Sequence, residues 1–329
     1  NNYKINYNAN GGEVEKIEDF IDYDATITLP IPTRTGYDFG GWSCSNGSSY
    51  TNQQSVSNLT TTDGATVTMT AKWNPNTYYV TYNADGGSNI PDKQSFKFNS
   101  GDKISTTIPT KTGYSFVKWV SNPNSVDFAP GATIPNGWGS FSLNPQWKAD
   151  TYTVTYKANG GTGAPGSQTK TYGVTLTLSS TKPTRDGYDF QGWSTSSTAT
   201  SATYTAGGSY TANSGTTLYA VWKLKTYTVS YNANGGSGAP SAQTKTHGVT
   251  LTLSSTKPTR TGYTFQGWGT SSTATTVSYA AGASYTANSG TTLYAVWKAK
   301  TYTVSYNANG GSGAPSAQTK THGVTLTLS

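Results

Sequence analysis

Few residues in this chain have the type and spacing to do chemistry. Two histidines, His247 and His322, stand 75 positions apart. An imidazole can move protons near neutral pH or bind a metal, but no partner ligand lies near either one in sequence. Tyr172 holds the equivalent place one interval earlier, and a phenol does not replace a catalytic or metal-binding imidazole. Both histidines are therefore read as surface or packing residues. Paired carboxylates would serve glycoside hydrolysis, and clustered ones would bind Ca²⁺. Yet the interval from Tyr227 to Trp297 contains no Asp or Glu, only the basic residues Lys245, Lys257 and Arg260. A job shared by every interval needs no carboxylate. The same gap argues against a self-formed Lys–Asn crosslink in each interval, because that reaction needs a carboxyl group to transfer protons. A carboxyl from a neighbouring interval is only a remote rescue.

Other candidates fare similarly. The Gly-Gly pairs lack the downstream Lys-Ser/Thr and the helix of a phosphate cradle, and read as turns. No zinc-ligand spacing or nucleophile elbow is present. Cys44 is the single cysteine, so no internal disulfide forms, and it is incidental to the repeating design. Exposed Trp and Tyr faces stack on sugars, which would suit a carbohydrate-binding adhesin. Their recurrence beside apolar residues instead favours a packed core. Trp138 interrupts that pattern and is the best candidate for exposure. Asn46-Gly47-Ser48 and Asn58-Leu59-Thr60 fit the glycosylation acceptor pattern. The expectation is a chain with no catalytic, cofactor-binding or metal-binding residue, and not an enzyme.

The elements that position these residues are tandem repeats. A block Tyr-x-(Val/Ile)-x-Tyr-x-Ala-(Asn/Asp)-Gly-Gly begins at Tyr3, Tyr78, Tyr152, Tyr227 and Tyr302, at offsets of 75, 74, 75 and 75. A second block, Pro-Thr-(Arg/Lys)-x-Gly-Tyr-x-Phe-x-x-Trp, follows in the first four copies. Its motif residues are Gly36, Tyr37, Phe39 and Trp42, then Gly113, Tyr114, Phe116 and Trp119. The third and fourth copies have Gly187, Tyr188, Phe190 and Trp193, then Gly262, Tyr263, Phe265 and Trp268. Each copy closes on a strand ending in Trp73, Trp147, Trp222 or Trp297. The divisions are 1–76, 77–150, 151–225, 226–300 and a partial fifth repeat, 301–329, identical to residues 226–254. A repeat broken in its middle implies an array that continues, and the near-identity of neighbours implies recent duplication.

Three residues link each closing Trp to the next opening Thr, as in Asn74-Pro75-Asn76. Such linkers favour a semi-rigid string. A compact 75-residue module is roughly 30 Å across, so four in line would reach on the order of 120 Å.

Within the fourth repeat, Tyr227–Tyr231 and Val249–Leu253 alternate apolar and polar residues and read as strands. Ser237–Gln243 reads as a loop. Tyr263–Trp268 is a third strand in which Gly267 marks a bulge or close approach. Tyr285 fits a short edge strand, and Thr292–Trp297 is the last. The fold class is mainly β. The nearest thing to a helical period is Val14, Ile17, Phe20 and Ile21, beside Tyr23–Leu29, which matches the second strand of the other copies. A helix there is the minority option.

Composition agrees. Aromatics make 13% of the chain and charged residues 11%, which argues against disorder. Net charge is +7, but the basic residues are spread without runs, so no nucleic-acid footprint is expected. No run of about 18 apolar residues spans a membrane. No signal peptide opens the sequence.

The three blocks in fixed order resemble the Listeria–Bacteroides repeat, the B-repeat type of internalin B. The resemblance covers nearly the whole chain. It implies compact β-grasp-like modules, here with the helix short or absent, in an elongated array. It also implies an extracellular or envelope-attached bacterial protein, in which such repeats form stalks, some linked to adhesion, and it supplies no catalytic residue. The leading reading is a structural spacer. The alternatives are an adhesin module binding glycans or a host surface, and a self-assembling filament that pairs with other copies through strand edges. Neighbouring repeats of the same chain are the first expected partners.

Overall fold

The computed structural model describes residues 1–329 and contains strands, turns and irregular chain but no helix, so no helix is long and apolar enough to cross a membrane. The chain packs as two units, Asn1–Thr151 with Thr171–Gly173, and Tyr152–Lys170 with Val174–Ser329.

The first unit opens with β1 (Asn2–Asn8), β2 (Glu18–Asp22), β3 (Ile27–Thr28), β4 (Tyr37–Cys44), β5 (Ser49–Tyr50), β6 (Ser55–Val56) and β7 (Thr66–Pro75). β1 alternates strictly, burying Tyr3, Ile5 and Tyr7 and turning its polar residues outward. That period of two is what a half-buried strand requires. The sheet order is β2-β1-β7-β4-β5. β1 pairs antiparallel with β2 and parallel with β7, while β7 pairs antiparallel with β4. Two antiparallel pairs joined by a central parallel pair make the β-grasp-like arrangement that the resemblance implies. A parallel pair needs a long crossover, often a helix. Here the crossover holds the two-stranded ladder of β3 with β6, because its Ser, Thr, Gly and Asn favour turns over helix. The second repeat uses the same central order, with Thr77–Tyr82 beside Phe141–Ala149 and Gln94–Lys97.

In the second unit the fourth repeat forms a four-stranded sheet, Gln243–Thr246, Thr226–Asn232, Thr291–Ala299 and Tyr263–Gly269 in that order, and the third repeat matches it. Residues Thr301–Val304 and Gln318–Thr321 pair as a hairpin.

Three expectations change. The minority helical option over Val14–Ile21 is not taken: from Glu18 onward the segment is β2, in which Ile21 faces the core and Phe20 faces solvent as it completes β1's edge in strict alternation. In the fourth repeat the strand after the opening one is Gln243–Thr246, starting at the end of the expected loop and ahead of the expected Val249–Leu253, and it pairs with the opening strand. Only Leu251–Thr252 of the expected strand is extended and paired, against Ser284–Tyr285, and Val249 is exposed. In the first repeat the same holds for Tyr23–Leu29, of which only Ile27–Thr28 is strand. The alternation of Val249–Leu253 was a poor guide, because the true partner strand carries a polar side chain at its inward position. Finally, the three-residue linkers are largely strand. β7 runs to Pro75 and the next strand starts at Thr77, leaving Asn76 alone between them.

Each repeat packs around one tryptophan. Trp42, Trp119, Trp193 and Trp268 are all fully buried. In the fourth repeat Trp268 sits among Val229, Leu253, Tyr285, Leu293 and Ala295. Tyr231 and Phe265 pack on it with ring centroids 4.9 and 5.1 Å away, and Phe265 passes the contact on to Trp297 at 5.8 Å. Burying each such ring contributes about 1.5–3 kcal/mol, so a few aromatics stabilise a module otherwise too small for a large core.

Candidate functional site

The motif residues divide between the core and the seam that joins successive repeats. The four central tryptophans are core and present no face to a ligand. The closing tryptophans are half-buried, and most clamp the Gly-Gly turn. Trp73 Nε1 donates to Ala9 O at 2.9 Å, Trp222 Nε1 to Ala158 O at 3.0 Å and Trp297 Nε1 to Ala233 O at 3.0 Å. A Cβ on Gly236 would lie 2.6 Å from the Trp297 ring and 2.5 Å from Thr259 O, so this turn glycine is fixed by close approach. Trp138 is half-buried as well. It packs edge-on against Phe128 at 5.6 Å and Phe141 at 4.9 Å, correcting the expectation of an exposed ring. The second repeat adds these phenylalanines to its core, and Trp138 covers them.

The seam is built by one residue. Lys225 N–H donates to Gly187 O at 2.8 Å, and Lys225 O accepts from His247 N–H at 3.0 Å. One linker residue thus ties the preceding repeat to the following one. Lys300 does the same between Gly262 and His322, at 2.8 and 2.9 Å. In the first unit Asn76 bridges Gly36 and Phe98, both at 3.0 Å, and Asp150 bridges Gly113 and Tyr172 at 2.9 and 2.8 Å. The ring of the later residue lies directly on the glycine. The tyrosine after the glycine is held on both sides. Arg34 lies 4.1 Å over the Tyr37 ring, while Phe98 meets it edge-on at 5.5 Å. Arg260 and His322 hold Tyr263 in the same way, at 4.0 and 5.4 Å. Gly36, Tyr37, Gly113, Tyr114, Gly187, Tyr188, Gly262 and Tyr263 therefore belong to the seam. Phe39, Phe116, Phe190 and Phe265 are half-buried against the central and closing tryptophans.

The histidines are seam residues. The Tyr227 hydroxyl lies 3.1 Å from His247 Nδ1, and Asp186, from the preceding repeat, lies 3.6 Å from Nε2. Open, polar grooves border the Gly-Gly turns. One, of about 790 Å³, is lined by residues including Gly12, Arg34 and Trp73, and another, of about 590 Å³, by Gly236 and Arg260. No three His, Cys, Asp or Glu side chains gather as a metal-ligand group. Cys44 is buried, and burial pushes its thiol pKa up. The amide nitrogens of both acceptor asparagines are engaged, Asn46 Nδ2 with Leu59 O at 3.1 Å and Asn58 Nδ2 with Asp24 Oδ1 at 2.8 Å.

Two lysines escaped the sequence reading. Lys170 and Lys245 lie in the second strands of their repeats, 1% and 0% exposed. The strand register sets Lys245 opposite Tyr227, as Ile21 is set opposite Tyr3 and Phe96 opposite Tyr78. Only the correct strand assignment would have shown that a lysine stands where apolar residues stand in the first two repeats.

A family model described as the Listeria-Bacteroides repeat domain matches residues 3–72, 78–135, 152–221, 227–296 and 302–329. A curated protein of Evansella cellulosilytica, provisionally named a Gly-rich membrane protein, is 29% identical over 297 residues, which covers 88% of this chain and 33% of that protein. Another from the same organism, provisionally named a membrane protein, is 28% identical over 307 residues, covering 90% of this chain and 44% of that protein. The chain thus spans less than half the length of either relative.

Proposed function

The chain belongs to the Listeria-Bacteroides repeat family, and from that premise we propose that its repeats are a structural spacer in a bacterial cell-surface protein, setting a binding or anchoring domain apart from the envelope. The family is a structural module type, in keeping with a mechanical duty. The observation that carries the reading is the seam: a single residue separates the closing strand of one repeat from the opening strand of the next, and it is hydrogen-bonded to both repeats. A seam made of backbone bonds and a ring seated on glycine resists hinge motion better than a free linker, whose Gly/Ser composition would let it behave as coil. The membrane names of the relatives support a place at the cell envelope.

A carbohydrate-stacking adhesin would need exposed indole faces, and the tryptophans that recur in the motif are buried or half-buried. Small-angle scattering from the whole chain tests the spacer. The expected pair-distance distribution has a long tail reaching on the order of 120 Å, and a single compact peak would refute the reading.

A further inference from the structure

We propose that Lys245 and Asn288 join in an amide crosslink inside the fourth repeat, tying its second strand to the loop that leads into its closing strand. The inference stands apart from the spacer reading, since it concerns covalent chemistry within one module.

Lys245 is fully buried, and its Nζ donates to two neutral acceptors, Thr246 O at 2.8 Å and Asn288 Oδ1 at 3.1 Å. Burying an ammonium beside neutral groups is costly, and Ile21 and Phe96 fill the same place without that cost. As a neutral amine, the same group is a nucleophile held against a carboxamide. Proximity of this kind removes a large part of the barrier for such a reaction.

The carboxamide is also prepared for attack. Gly248 N–H donates to Asn288 Oδ1 at 2.8 Å, so it polarises the carbonyl and can stabilise the oxyanion that forms there. On the other side, His247 Nε2 lies 3.5 Å from Asn288 Nδ2, the nitrogen that must leave. The other ring nitrogen, Nδ1, lies 3.1 Å from the Tyr227 hydroxyl, so both ring nitrogens meet a polar group. Asp186, 3.6 Å from Nε2, supplies a carboxylate from the third repeat. The fourth repeat has no carboxylate of its own, and the remote rescue by a neighbouring repeat is the one this geometry provides.

The balance is simple. From the neutral amine, Nζ forms a bond to Cγ of Asn288, and the Cγ–Nδ2 bond breaks. One proton of the attacking amine passes by way of the adjacent His247 ring to the departing nitrogen, which leaves as ammonia. No oxidant or other co-reactant is consumed. The product strap closes a loop between residues 43 apart in sequence. Lys170 and Asn213 in the third repeat have the same spacing and a 3.0 Å contact, but Tyr172 replaces the histidine there, so the relay is special to the fourth repeat.

Peptide mapping of the whole chain by mass spectrometry, after incubation at neutral pH, tests the proposal. A branched peptide joining Lys245 to Asn288, with the loss of one ammonia, is expected. Lys245→Met and Asn288→Ala should each lack it, and the methionine variant should fold because apolar side chains occupy that position in the first two repeats. Separate, unbranched Lys245 and Asn288 peptides in the native chain overturn the proposal. So does an ammonia loss that maps to a succinimide at an asparagine. His247→Gln should slow formation of the branch at least several-fold; an unchanged rate removes the relay from His247.

Discussion

Gly187 and His247 meet across a repeat boundary so closely that a Cβ on the glycine would stand 2.2 Å from an imidazole carbon. Gly187 also has a φ of +72°, a region that costs an L-residue about 1 kcal/mol. Gly187→Ala should therefore cost more than the backbone term alone, because the ring must leave its seat. Gly163 has a φ of +77° with nothing within 4 Å of its would-be Cβ, so Gly163→Ala isolates the backbone term. Calorimetry should find the seam variant at least about 1 kcal/mol less stable than the control, and trypsin should cut faster after Lys225. Equal losses in the two variants would mean that the seam contact carries no energy.

The central tryptophans offer a comparison of hydrogen bonding at constant burial. Trp42 Nε1 donates to Pro30 O at 3.2 Å, while the indole nitrogens of Trp119, Trp193 and Trp268 are buried without a protein partner. Trp42→Phe removes a satisfied bond and strands the Pro30 carbonyl. Trp268→Phe removes an unpaired donor. Both lose volume, so both destabilise, but Trp42→Phe should cost about 1 kcal/mol more. Denaturant titrations read by repeat-specific probes would check this.

Alkaline pH should attack one position in each of the four full repeats. Tyr7 is pushed up to about 12, first by burial and then by the neighbouring Tyr3. Burial also raises Tyr82, Tyr156 and Tyr231, and a backbone N–H on each phenol oxygen works against the rise. Above about pH 10 the unfolded chain ionises these phenols while the folded chain keeps their protons. The folded state then binds more protons, so stability falls as pH rises. This contribution is complete below pH 10 and drains away as pH passes through the raised folded values. Phenolate absorbance of these four should rise only above pH 10, together with loss of near-ultraviolet circular dichroism. Ionisation of all four at about pH 10 in an intact fold would contradict it.

The repeat and its core were legible because aromatic residues at a fixed period can hardly mean anything else. Trp268, Phe265 and Tyr231 signal their packing by position alone, and Gly267 signals the bulge, where the register shifts between Phe265 and Gly267. The second strand was not legible. Its inward residue is Ile21 in one repeat, Phe96 in the next and a lysine in the others, so the period of two is broken by residue type. The seam was half legible. Short linkers announced a constraint, but the seating of His247 on Gly187 joins residues 60 apart, and no local pattern encodes such a pairing. His247 and Asn288 were likewise invisible as neighbours, since one lies beyond the second strand and the other before the last.

The register of β2 can be tested one residue at a time. Phe20 is 73% exposed and Ile21 only 6%, although phenylalanine is the larger and more apolar of the pair by area. A strand places adjacent residues on opposite faces, so a slip by one would exchange them; a helix would have kept Phe20 and Ile17 on a shared stripe with Ile21. Ile21→Ala should therefore cost about 2–4 kcal/mol by opening a cavity under β1, whereas Phe20→Ser should stay within about 0.5 kcal/mol of the parent. Lys4 Nζ lies 5.6 Å from the Phe20 ring centroid, too loose and exposed a contact to alter that order. Thermal melts of the two variants decide it. A larger loss from the phenylalanine would show that the strand pairs one residue out of the register in which Tyr3 faces Ile21.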